Sequence, residues 1–347
     1  MIITKTPLRV SFFGGGSDYP EWYLRNGGQV LSTTIDKYVF LMVRRLPPFF
    51  DYENRLVWSK IELTESVDAI EHPVVKTVLQ KYGLQKVEVN HFSDLPARTG
   101  LGSSSSFAVG LINAVRALLE NEPESSHQLA LEAIEVEKHM LGEVVGVQDQ
   151  LAAAHGGFNI FHFGVDATLR VQKVNFEQDK LASLQKNLVM VYTGVARFAS
   201  QVAASTVANF GTTKDSVIHR IVDMVDEGRR SIDASDITAF GELLHESWLL
   251  KRSLSTDIAP EMINQLYALG RQAGALGGKV LGAGGGGFML FVVPPESRQR
   301  FLNAMSNFLV IPFGFDDSGS SIIYRSDDQF THASLKPGVK YKQVNSD

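Results

Sequence analysis

The residues best suited to chemistry lie in or beside three glycine-rich segments. These are Thr6-Pro-Leu-Arg-Val-Ser-Phe-Phe-Gly-Gly-Gly-Ser-Asp-Tyr19, Gly100-Leu-Gly-Ser-Ser-Ser-Ser106 and Gly282-Ala-Gly-Gly-Gly-Gly-Phe288. Glycine lets a backbone approach a ligand and take positive φ, and successive N–H groups in such turns form concave anion sites. Three such runs point to a polyphosphate and a small partner substrate. In the second, Gly100, Leu101, Gly102 and Ser103 to Ser106 run straight into the apolar stretch from Phe107. Several free N–H groups then converge at a helix N-terminus, where the backbone dipoles favour an anion. A serine hydroxyl there can coordinate Mg²⁺. The bland reading is a flexible Gly/Ser linker, but a linker should not run directly into Phe-Ala-Val-Gly-Leu-Ile. No Gly-Lys-Ser/Thr follows, so the loop is not a Walker A motif. The third run precedes an apolar strand rather than a helix and fits the Rossmann fingerprint poorly, which argues against a dinucleotide oxidoreductase.

Carboxylates supply the second signal. At 100° per residue, Leu129, Ala133, Val136 and Met140 form one apolar helical arc, widened by Ala130, Ile134 and Leu141, and Glu137 falls inside it. Glu132 and Glu135 fall outside and read as solvated. A buried ionised carboxylate needs a cation or donors; a metal ion or a basic side chain would each serve. Asp149, in Gly146-Val-Gln-Asp-Gln-Leu-Ala-Ala-Ala-His-Gly-Gly157, can cap a short helix or act at a site. Arg9 reads equally as an ion-pair residue, and Asp18 as a turn aspartate.

The elements that must hold these groups follow from periodicity. Val39–Val43 and Lys86–Asn90 read as strands. Phe107 to Leu119 reads as a buried helix, and a second helix runs from a cap at Ser125 or Ser126 to Leu141, with Gly142 as its stop. Asn187–Gly194 is a strand and turn after the polar stretch Glu177–Lys186, where the domain boundary falls. Helices around 214–230, 236–250 and 260–276 precede a buried strand, Phe288–Val293, and Ile322-Ile-Tyr324 is a last strand. The expected organisation is α+β, with domains at 1–182 and 183–330 and a polar tail at 331–347.

The 347 residues are 44% hydrophobic, enough to bury two cores, and carry a net charge of −5. No long basic run marks a nucleic-acid footprint. The absence of cysteine excludes disulfides and thiolate metal sites. No stretch reaches the roughly 18 apolar residues of a membrane span, and the first residues lack a signal-peptide core. The expectation is a soluble cytoplasmic protein with a small-molecule substrate.

Together these residues resemble the GHMP kinase family, named for galactokinase, homoserine kinase, mevalonate kinase and phosphomevalonate kinase. The resemblance covers roughly residues 5–325, with all three family motifs in order. Leu95-Pro-Ala-Arg-Thr-Gly-Leu-Gly-Ser-Ser-Ser-Ser106 resembles the ATP phosphate loop and Lys279-Val-Leu-Gly-Ala-Gly-Gly-Gly-Gly-Phe288 the third motif. It implies an N-terminal domain of the ribosomal S5 type, a ferredoxin-like C-terminal domain, and a site between them using ATP and Mg²⁺. Ser104 and Glu137 match the family's metal-binding residues. Asp149 matches the catalytic aspartate and Arg9 the basic residue that assists it. Asp18 matches the substrate-binding aspartate of the sugar kinases, with Gly15, Gly16 and Ser17 of its turn and Gly284 and Gly285 of the third loop beside the substrate.

Two departures matter. Gly14-Gly-Gly-Ser-Asp-Tyr19 replaces the Gly-Glu-His-Thr-Asp-Tyr of galactokinase, which disfavours galactose, and Leu8 stands where glycine is usual. The branch resembled most phosphorylates the anomeric hydroxyl of D-glycero-D-manno-heptose 7-phosphate, and fucokinase-like domains share that branch. The far phosphate of such a substrate needs a basic clamp. Arg197 is the first candidate, with Arg98, Arg25 and Lys279 behind it; a solvated surface role competes in each case. Trp58 and its neighbours are candidates for the adenine wall. A non-catalytic sensor on this fold should have damaged the serine loop or Asp149, and both look intact.

Overall fold

The computed structural model describes residues 1–47, 49–195, 199–212 and 214–326. Arg197 and the tail at 331–347 therefore lie outside the described residues. The first half runs β1 (Ile2–Phe13), α1 (Pro20–Asn26), β2 (Gly28–Arg45), β3 (Asn54–Val57), β4 (Ile61–Thr64), α2 (Pro73–Lys81), β5 (Val87–Ser93), α3 (Ser103–Leu118), α4 (Ser126–Ile134), α5 (Gln148–His155), β6 (Phe158–Phe163) and β7 (Leu169–Lys173). The second runs α6 (Gln178–Asn187), β8 (Leu188–Tyr192), α7 (Ala199–Val207), α8 (Asp215–Asp233), α9 (Ile237–Leu254), α10 (Glu261–Gln272), β9 (Gly277–Val280), β10 (Phe288–Val292), α11 (Pro295–Ala304), β11 (Leu309–Ile311), β12 (Phe315–Asp316) and β13 (Ser321–Arg325).

Two sheets organise these elements. In the larger, β13, β1, β2, β5, β3 and β4 lie in that order, and β6, β7 and β12 attach through β2. The long β2 makes this possible. Its first half pairs with β6, residues 34–35 pair with β12, and residues 39–45 pair with β5, while β1 lines its other edge. The smaller sheet is β11-β8-β10-β9, all antiparallel. Its centre, β10, is buried throughout, as its unbroken apolar sequence requires. The strands after residue 314 thus rejoin the first sheet, and the polar stretch at 177–186 folds mostly as α6.

Helix α3 packs on β1 and β2 and is buried on almost every face, including Phe107, Leu111, Ile112 and Val115. The helix after it departs from the expected regular form. Beyond Ile134 the winding loosens into a π-turn at Glu135–Met140, closed by the Leu141 N–H donating to the Val136 carbonyl at 3.0 Å. Glu137 stays fully buried, but Met140, expected inside the apolar arc, is exposed, because the extra residue per turn rotates the last positions outward. Glu132, expected in solvent, is half-buried, paired with Arg116 and accepting from the Tyr82 hydroxyl. Glu135 is exposed and pairs with Lys81.

Candidate active site

The three glycine segments meet. Gly102, in the left-handed region at φ 76°, precedes α3, whose first-turn N–H groups have no intrahelical acceptor. Gly100 and Gly282 touch backbone to backbone: a Cβ on Gly282 would lie 2.5 Å from the Gly100 Cα, and one on Gly100 would lie 2.3 Å from the Leu281 carbonyl oxygen. Only glycine permits that approach from both sides. The Phe288 N–H donates to the Thr99 carbonyl at 3.1 Å and completes the seam. In the first segment, the Arg9 N–H donates to the Leu101 carbonyl at 3.0 Å, so β1 runs beside the phosphate-loop candidate.

The first turn of α5 distributes the polar groups. Successive helical residues point about 100° apart, and Gln148, Asp149 and Gln150 each reach a different wall. Arg9 grips Asp149 bidentately, Nε donating to Oδ1 and Nη2 to Oδ2, both at 2.7 Å, while Nη1 donates to the Gly100 carbonyl at 2.5 Å. Asp149 does not cap its helix; no side chain does. The Arg9 side chain is 5% exposed and that of Asp149 24%, so the carboxylate keeps one open side. Gln150 Nε2 donates to Glu137 Oε2 at 2.6 Å. Gln148 hydrogen-bonds Asp18 and accepts from the Ser11 hydroxyl at 2.6 Å.

Glu137 receives two further donors, Ser104 Oγ to Oε1 at 2.9 Å and Ser105 Oγ to Oε2 at 2.8 Å. All three donors are neutral, so burial wins and pushes the Glu137 carboxyl up to about 7. A cation beside Glu137 would relieve that penalty. Among the described residues no three His, Cys, Asp or Glu side chains gather to hold a metal alone. One carboxylate and one serine hydroxyl nevertheless suit Mg²⁺, which commonly takes a protein oxygen or two and completes its shell with water and phosphate.

Asp18 is also buried and its carboxyl is raised, first by that burial and then by the Asp149 charge. Its Oδ1 accepts from the Gly16 N–H at 3.1 Å. Gly146 makes room for it, since a Cβ there would lie 1.8 Å from Asp18 Oδ2. The neighbouring Ser17 is wholly buried, its hydroxyl donating to the Gly14 carbonyl at 2.8 Å. In the third loop the Gly285 N–H donates to the Ile258 carbonyl at 2.8 Å, and Gly284 leans on the same residue. Of the clamp candidates, Lys279 is buried and donates to the Phe12 carbonyl at 2.7 Å, which removes it from that role. Arg25 folds back onto the Glu21 carbonyl of its own helix, and Arg98 is exposed. Trp58 Nε1 donates to Glu62 Oε1 at 2.8 Å, and its ring meets His72, which stacks on Phe107 at the start of α3. Sequence reasoning missed Gln148, Gln150 and Lys251. The glutamines flank Asp149 in the quoted motif, and that adjacency was their only signal.

Residues 69–157 match the GHMP kinases N terminal domain, and residues 229–311 match the GHMP kinases C terminal domain. The chain belongs to the GHMP kinase family. Members of this family are ATP-dependent phosphotransferases. The chain is similar to the D-glycero-alpha-D-manno-heptose 7-phosphate kinase of Campylobacter jejuni, at 28% identity over 317 residues, covering 88% of this chain and 93% of that one. It is also similar to the bifunctional fucokinase/GDP-fucose pyrophosphorylase of Arabidopsis thaliana, at 25% identity over 86% of this chain and 30% of that protein. Among solved structures, a D-glycero-D-manno-heptose 1-phosphate kinase from Bacteriodes thetaiotaomicron superposes with a TM-score of 0.74 at 25% identity, covering 94% of this chain and all of that one. The GHMP fold expected from the three motifs is therefore the fold of this chain. No described helix is long and apolar enough to cross a membrane.

Proposed function

We propose that this GHMP kinase transfers the γ-phosphoryl of ATP to the anomeric hydroxyl of D-glycero-D-manno-heptose 7-phosphate, giving the 1,7-bisphosphate. The observation that carries the reaction class is the Arg9 fork on Asp149, set beside the N-terminus of α3 and the Ser104–Glu137 pair. The similarity to the Campylobacter heptose 7-phosphate kinase across most of both chains supports the acceptor.

In this reading the amides of residues 100–106 receive the ATP phosphates. Ser104 and Glu137 would hold Mg²⁺, which when bound would supply positive charge against the phosphates. Asp149 orients the acceptor hydroxyl through its open side and takes its proton as the new P–O bond forms, when the hydroxyl has become more acidic. Arg9 fixes both Asp149 oxygens, so the carboxylate cannot swing away. Asp18, with Gly15, Gly16, Gly284 and Gly285 nearby, contacts the sugar, and Arg197 binds its distal phosphate. Fixed charges and positioning then supply most of the rate.

The test is ADP release with ATP·Mg²⁺ against heptose 7-phosphate, heptose 1-phosphate, mannose 6-phosphate, mannose, L-fucose, galactose and mevalonate, with phosphorus NMR of the product. Turnover with heptose 7-phosphate and a new anomeric phosphate signal is expected. Heptose 1-phosphate has no free anomeric hydroxyl, so turnover with it instead would move the reaction to another oxygen. Turnover with L-fucose alone would transfer the chain to the fucokinase-like reading.

A further inference from the structure

One charged group beside this site has no role in the proposed mechanism. Lys251, on α9, is half-buried, and its ammonium donates to the Val280 carbonyl at 3.2 Å and to the Gly282 carbonyl. Those two carbonyls flank Leu281, where the third glycine loop leaves β9. Leu281 is fixed in turn, its N–H donating to the Phe288 carbonyl at 2.9 Å and its carbonyl packed on Gly100. The Gly100 carbonyl is the one that Arg9 Nη1 holds, and Arg9 holds Asp149. A continuous chain of contacts therefore runs from Lys251 through residues 280–282 and Gly100 to Arg9 and Asp149.

Charge makes this placement informative. Arg9 and Lys279 face the Lys251–Lys279 neighbourhood with like sign, while Asp18 faces Lys251 with opposite sign. Burial lowers the Lys251 ammonium to about 7 and holds Lys279 well below the ordinary lysine range. A solvated surface lysine would show neither the two backbone acceptors nor the like-charged neighbours.

We propose that Lys251 is a positioning residue for phosphoryl transfer, a clip that holds the third glycine loop against the phosphate loop and so keeps Gly100 where it orients Arg9. The proposal rests on the kinase reading above. A methyl at the end of this side chain donates nothing, so it is expected to leave α3 and its amides in place while loosening residues 281–288.

Three measurements on the full chain test it. Hydrogen exchange on the ligand-free protein needs no acceptor, so a wrong assignment of the sugar leaves it decisive. Lys251→Met is expected to speed exchange in residues 281–288 by at least about tenfold, with α3 unchanged. With whichever acceptor the panel identifies, kcat should fall at least about 30-fold while the Kd for ATP·Mg²⁺ stays within about threefold, as for an interaction realised chiefly in the transition state. Lys251→Arg, which keeps the charge and the donors, should recover most of the rate. Lys251→Leu serves if the methionine variant does not fold. Parent-like exchange and kcat overturn the proposal. So does a loss of Tm with equal damage to kcat and ATP affinity, or a failure of arginine to rescue.

Discussion

Replacing Glu137 by glutamine should make the ligand-free protein more stable while removing its activity. The side chain keeps its shape, and an amide can accept from Ser105 or Gln150 and donate to the Ser104 hydroxyl. The ionised carboxylate is the problem in the parent: its ordinary value of 4.5 becomes about 7 in the fold. Unfolded chains release this proton near the lower value and the folded protein near the higher. Between the two the folded state binds more protons, so its stability falls as pH rises and levels off above about 7. At 1.36 kcal/mol per pH unit the full cost is about 3 kcal/mol. Urea unfolding of parent and Glu137→Gln, followed from pH 4.5 to 8.5, measures the difference directly, because groups remote from Glu137 titrate alike in both proteins. The two should coincide near pH 4.5 and diverge to about 3 kcal/mol in favour of the variant by pH 8. ATP·Mg²⁺ should then stabilise the parent and leave the variant almost unmoved. A difference that is flat with pH, or of opposite sign, would refute the claim that Glu137 is a carboxylate awaiting a cation.

Asp149→Asn should retain ATP binding by calorimetry yet lose at least about 100-fold in kcat, the lower range for a general base. Gly146→Ala drives a methyl into the Asp18 carboxylate and should raise the acceptor KM with little change in ATP affinity; parent-like KM would remove Asp18 from the sugar site. Arg197→Ala should raise KM for a sugar phosphate by about 10- to 100-fold, the worth of a charge-assisted hydrogen bond. An equal loss of ATP affinity would instead make Arg197 structural.

The parts of this site that were legible in the sequence are those with a local signature. The serine loop announces itself because small residues give way abruptly to the apolar run from Phe107, and that transition is where α3 begins. Glu137 could be placed in the interior from helical periodicity, and even the π-turn left it buried. The same periodicity misplaced Met140, since one extra residue in a turn has no marker in the pattern. Lys251 was invisible for a different reason. Next to Arg252 near the end of a helix, it reads as a solvated basic pair favouring the C-terminal dipole, and only the approach of β9 makes it a backbone clip. Strand β13 was legible from its apolar residues, but its partner, β1, lies more than 300 residues away in sequence. No local pattern encodes such a pairing.

That pairing bears on how the enzyme can move and how it can be cut. The smaller sheet and its helices are inserted within the larger unit, entered after β7 and left before β12. Two strands of covalent chain cross between the units, so free swivelling on a single tether is forbidden and relative motion reduces to a hinge through both crossings. A fragment ending at residue 182 would lack β12 and β13, exposing the free edge of β1 and the buried Thr34 backbone beside it. Separating the units therefore calls for splicing out the insert, with a short linker joining the two crossing points.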